Sequence, residues 1–138
     1  MLVRDSMIAN PVTISSGDTL ATAQALMKAG GFRRLPVVDD DVLVGMLSEY
    51  DLRDQLDRLE RVAVRAAMTP EPVTVCLADT LEHAVTITRE RQIGALPVVE
   101  HGHLVGIITA HDLWIAEPRQ LPEWDPEHQH RGLHRRVR

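Results

Sequence analysis

The chain has 138 residues, a formal net charge of −5 and few aromatic residues (Phe32, Tyr50, Trp114, Trp124). That length fits one compact unit or two very small ones, and the acidic balance with sparse aromatics speaks against nucleic acid as a partner. No apolar run approaches the ~20 residues of a membrane span, Met1-Leu2-Val3-Arg4-Asp5 lacks the apolar core of a signal peptide, and Cys76, the sole cysteine, leaves no internal disulfide; we expect a cytoplasmic protein.

In chain order, the pattern predicts a short turn around Met7 and a strand at Val12-Thr13-Ile14. Ser15-Ser16-Gly17-Asp18 reads as a loop, with Asp18 or Thr19 capping the next helix. That helix carries Leu20, Ala23 and Met27 at helical spacing and stops at Gly30-Gly31. Leu35-Pro36-Val37-Val38 reads as a buried strand with its proline on an edge. Asp39-Asp40-Asp41 is a polar turn, and Val42 to Leu47 a near-continuous apolar strand. A closing helix from Glu49 to Glu60 would place Leu52, Leu56 and Leu59 on one face.

The same course then runs again. Adding 61 to each number from Val3 to Leu52 lays the first half on the second without a gap, with about 19 identities in about 50 positions. The second copy predicts a strand at Val73-Thr74-Val75, a helix from Leu81 to Arg91 and strands at Ala95–Val99 and Leu104–Ile108. A last helix is ended by Pro118. Residues 118 to 138 leave the pattern: they are rich in Pro and His and carry five Arg against three acidic residues. This stretch reads as a solvated tail. The expected division is residues 1–60, 61–117 and the tail 118–138.

Both copies end their second strand in a hydroxyl residue followed three positions later by an acid: Ser48 with Asp51, and Thr109 with Asp112. That spacing is a capping box. It is also a natural anion site, because free N–H groups and the positive end of the helix dipole point out of it.

The repeated order strand, helix, strand, strand, helix, with Leu-Pro-Val-Val and Gly-x-x-[Ser/Thr]-x-x-Asp-Leu in each copy, resembles a tandem pair of cystathionine-beta-synthase-type (CBS) domains, a stand-alone Bateman module. The resemblance implies an α/β (α+β) fold of two β-α-β-β-α repeats, packed sheet to sheet with pseudo-twofold symmetry. It implies two clefts that hold an adenine-containing regulatory ligand such as AMP, ADP, ATP or S-adenosylmethionine, and a homodimer formed through the helices. We expect no required cofactor and no chemistry, so that output passes to a partner protein that the sequence does not identify.

Asp51 and Asp112 would repel a phosphate at close range but accept well from ribose hydroxyls. Ser48 and Thr109 suit a ribose or α-phosphate oxygen. By the resemblance, the base lies against Thr13-Ile14 and Thr74-Val75 and the backbone before Leu35-Pro36 and Leu96-Pro97. Arg33, Arg34 and Arg53 could supply phosphate charge, whereas the second copy has Gly94, Ala95 and Trp114 there. The clefts are therefore unequal, and we expect one to prefer the more anionic ligand or to be the only one filled.

Each signal has a plainer reading. The hydroxyl–acid pairs could be caps alone, and the arginines solvated surface charges. Cys76 lacks a sequence-placed base and reads as a small residue beside a strand. His101, His103, His128, His130 and His134 have irregular spacing and read as exposed rather than metal-binding. The rivals to a nucleotide-binding module are a ligand-free structural dimer scaffold, a hydrolase using Ser48 or Cys76, and nucleic-acid binding through the tail.

Overall fold

The computed structural model describes residues 1–116; the tail at 118–138, with its arginines and His128, His130 and His134, lies outside the described residues. An eleven-residue helix is the first long element of each repeat: α1 (Leu20–Gly30) and α3 (Leu81–Arg91). Each starts at a threonine whose hydroxyl accepts an N–H of the first turn, Thr19 from Thr22 at 3.2 Å and Thr80 from His83 at 3.0 Å. Each ends on a left-handed residue, Gly31 (φ 71°) and Gln92 (φ 57°). Asp18 does not cap α1; its carboxylate instead accepts the Ser15 N–H at 3.1 Å and closes the preceding turn.

Two antiparallel hairpins follow the helices. β2 (Arg34–Asp39) pairs with β3 (Val42–Ser48), and β5 (Ala95–Glu100) with β6 (His103–Thr109). Their registers match residue for residue, Arg34 opposite Ser48 and Ala95 opposite Thr109, with bulges at Val37/Val38 and Val98/Val99. The hairpins meet at one register pair, Val42 opposite His103.

The cores do not follow the two halves of the chain. Val3, in a single 3-10 turn at Val3–Asp5, is fully buried among Leu81, Leu96 and Ile108 of the second repeat. Its counterpart Val64, in the short α2 (Val64–Ala67), is fully buried among Leu20, Leu35 and Leu47 of the first. Backbone bonds hold each arm in place: Val3 N–H to Asp79 at 2.8 Å, and Val64 N–H to Asp18 at 2.7 Å. β1 (Ile8–Ala9) then pairs with β6, and β4 (Thr69–Pro70) with β3. Each repeat thus lends its opening arm to the other, which is the pseudo-twofold relation in chemical form.

Two expectations fail locally. The predicted strands at 12–14 and 73–75 shrink to single parallel bridges, Ile14 to Val37 and Val75 to Val98. Pro11 and Pro72 bring no N–H to a ladder, and a turn begins directly after each bridge. The predicted helix 49–60 is a 3-10 helix, Glu49–Gln55. Leu52 is buried, but Leu56 is 62% exposed. The chain leaves the helical path because it must reach back to α1, where the Leu59 and Val62 carbonyls accept the Ala21 and Leu20 N–H groups at 2.9 Å. In the second repeat the corresponding segment, which likewise starts directly from its strand, is an α-helix, α4 (Ala110–Ala116).

Candidate functional site

The first repeat's helix start forms a complete capping box. Asp51 N–H donates to Ser48 Oγ at 3.3 Å, and Ser48 N–H donates to Asp51 Oδ2 at 2.8 Å. The Glu49 N–H is also fixed, on the Arg33 carbonyl at 2.8 Å. In the second repeat Asp112 N–H donates to Thr109 Oγ1 at 3.1 Å, and the Ala110 N–H meets the Gly94 carbonyl at 2.9 Å. Capping is therefore made in both copies. What differs is the acid: Asp112 Oδ2 is buried with no hydrogen-bond partner among the described residues.

A cleft of about 160 Å³ opens between the repeats. Arg34, Met46 and Ser48 line it from the first repeat, and Ile93 and Ala95 from the second. The stretch that links the repeats, through Thr69, Glu71 and Val73, closes one side. The Arg34 Nε is buried with no hydrogen-bond partner among the described residues. Burial, and secondarily the neighbouring Arg33, push the Arg34 pKa down. A guanidinium nitrogen of this kind suits an anionic partner.

Of the residues singled out from the sequence, the structure brings Arg34, Ser48 and Ala95 into this cleft. Ile14, Leu35, Val75 and Leu96 lie in the two hydrophobic cores. The Ile14 and Val75 backbones are also engaged, each donating to and accepting from the neighbouring strand. Pro36, Pro97 and Gly94 are buried, Thr74 is half-buried and Thr13 is exposed. Arg33 and Arg53 line a different cavity, on the outer face of the first repeat. Met46, Glu71, Val73 and Ile93 escaped the sequence reading. The repeat itself held the signal, since the linking stretch 69–73 corresponds to 8–12, but nothing in it showed that the arms cross.

A doubled small α/β unit with crossed arms and a cleft between its copies defines a paired-repeat fold. The profile described as CBS domain matches residues 3–58 and 64–113, and the chain belongs to that family. CBS domain-containing protein YhcV of Bacillus subtilis (strain 168) is 33% identical over 114 residues, covering 80% of this chain and 81% of that protein. The inosine-5'-monophosphate dehydrogenase of Mycobacterium leprae (strain TN) is 35% identical over 121 residues, covering 86% of this chain; the chain spans 23% of that dehydrogenase's length. The crystal structure of CBSX2 in complex with AMP superposes with a TM-score of 0.74 at 29% identity, covering 86% of this chain and 96% of that one.

Proposed function

We propose that this chain is a non-catalytic regulatory module that takes an adenine nucleotide between its repeats and signals to a partner protein. The observation that carries the reading is the unpartnered Arg34 Nε in the same cleft as Ser48. The similarity to a protein crystallised with AMP supports the ligand class. Ser48 keeps its hydroxyl proton for a sugar or phosphate oxygen, and Asp51 keeps one oxygen for a ribose hydroxyl. Asp112 Oδ2 would take a ribose hydroxyl in the second repeat. The division into residues 1–60, 61–117 and 118–138, a cytoplasmic location and a homodimer belong to the same reading.

The mechanism is a population shift. A cleft of about 160 Å³ is smaller than the ~300–1,000 Å³ of usual ligand sites. A nucleotide must therefore widen it: the two hairpins meet at one register pair, while the crossed arms tie the repeats together through β1 with β6 and β4 with β3. Calorimetry on nucleotide-stripped protein tests this: AMP gives a saturable heat that Arg34→Gln weakens by about tenfold. No heat with AMP, ATP or S-adenosylmethionine overturns it. Exposed Leu56 (62%) and Phe32 (38%) favour a second reading, a ligand-free interaction scaffold. It predicts a stable dimer by light scattering and no change in melting temperature with any nucleotide.

A further inference from the structure

Two opposite charges, Arg34 and Glu71, line the inter-repeat cleft without meeting. Neither makes an ion pair among the described residues. Among those residues they are also the only charged ones in the lining. The Arg34 Nε is buried, whereas Glu71 is exposed. The cation therefore belongs to the inner part of the cleft and the carboxylate to its mouth.

Glu71 sits on an unusual backbone. Its φ is 46°, in the left-handed region where Asn and Asp are favoured among residues with a side chain. The kink directly follows β4 and is fixed by the Glu71 N–H on the Val44 carbonyl at 3.3 Å. The first repeat's arm makes the same kink after β1. There Asn10 has φ 49°, and its N–H meets the Val105 carbonyl at 3.2 Å. The backbone is thus served by Asn, and nothing in the turn asks for a carboxylate. Residues held in such conformations cluster at ligand sites, where side-chain chemistry outweighs backbone preference.

Resting on the nucleotide reading above, we infer that Glu71 limits the charge of the ligand: the cleft takes one phosphate at Arg34 and disfavours a longer phosphate chain. One free guanidinium nitrogen at the inner end suits one anionic group. Further phosphates run outward, because the cleft holds only about 160 Å³, and they approach Glu71. A sphere of that volume is about 7 Å across, inside the ~8 Å screening length of physiological salt. Each further negative charge at about that distance from Glu71 weakens binding by about twofold. The cleft therefore selects AMP over ATP.

The test is calorimetry on the nucleotide-stripped full chain with AMP and with ATP, free of divalent cations. Wild type, Glu71→Asn and Glu82→Gln are compared. Glu71→Asn copies the residue that Asn10 already places on the same backbone, so its melting temperature should not fall. Wild type should bind ATP about fourfold more weakly than AMP, and Glu71→Asn should bring the two affinities together. Glu82→Gln removes an exposed carboxylate of α3 outside the cleft and should leave the ratio unchanged. ATP bound as tightly as AMP by the wild type, an unchanged ratio in Glu71→Asn, or an equal change in Glu82→Gln overturns the role of Glu71 and leaves the nucleotide reading standing. Failure of both nucleotides to bind overturns that reading and the role of Glu71 with it.

Discussion

A Cβ placed on Gly106 would lie 2.4 Å from the sulfur of Met7 and 3.0 Å from the Ile8 carbonyl oxygen. The first repeat's arm is therefore seated directly against the second repeat's β6, where no side chain fits. Gly45 stands to Met68 in the same way, at 2.5 Å. Gly106→Ala should lift the arm and lower stability by about 1–3 kcal/mol. Thermal unfolding checks the value, and Met7→Ala in the same chain should recover part of the loss.

Val3 tests where the arm belongs. It has no exposed surface and sits in the second repeat's core. Val3→Ala should cost about 2 kcal/mol. Amide exchange should then quicken in α3 more than in α1, though α1 is nearer in sequence. Val64→Ala should give the opposite pattern.

Asp39 gives a pH test. Ser16 donates to its carboxylate through the hydroxyl and, at 3.0 Å, the backbone N–H. The hydroxyl bond, then the backbone bond, hold the Asp39 pKa below the usual carboxylate value. Folding therefore favours the ionised form. Its stabilising effect is present above the ordinary carboxylate pKa and is lost as pH falls through the depressed one. Ser16→Ala should raise the Asp39 pKa toward the ordinary value, as read by carboxyl-carbon NMR titration, and flatten the acid limb of the stability curve.

Arg34 tests the cleft. Arg34→Gln keeps a polar side chain but removes the charge. AMP binding should weaken by about tenfold while adenosine binding changes little. Equal loss for both ligands would mean that Arg34 shapes the cleft and does not read the phosphate.

Much of the fold was legible because the two copies check each other. Thr19 and Thr80, Gly45 and Gly106, and both Leu-Pro-Val-Val strands occur at one offset, and each took the same local structure. The helix predicted at 49–60 failed because only the chain's return to Leu20 and Ala21 explains its early end, and that is a tertiary demand. For the cleft, the sequence reading reached Arg34, Ser48 and Ala95 but separated neither Arg33 from Arg34 nor arm from repeat. Adjacent residues on a strand point to opposite faces, and nothing before β2 reveals which face meets the cleft.

The crossed arms carry a consequence for ancestry and for engineering. A lone copy of this unit, severed near Arg61, would have an unfilled slot at its helix and an arm with nowhere of its own to go. Two such halves satisfy each other fully, so the smallest self-sufficient form of the unit is a pair, and joining the halves by a peptide bond adds convenience rather than completeness.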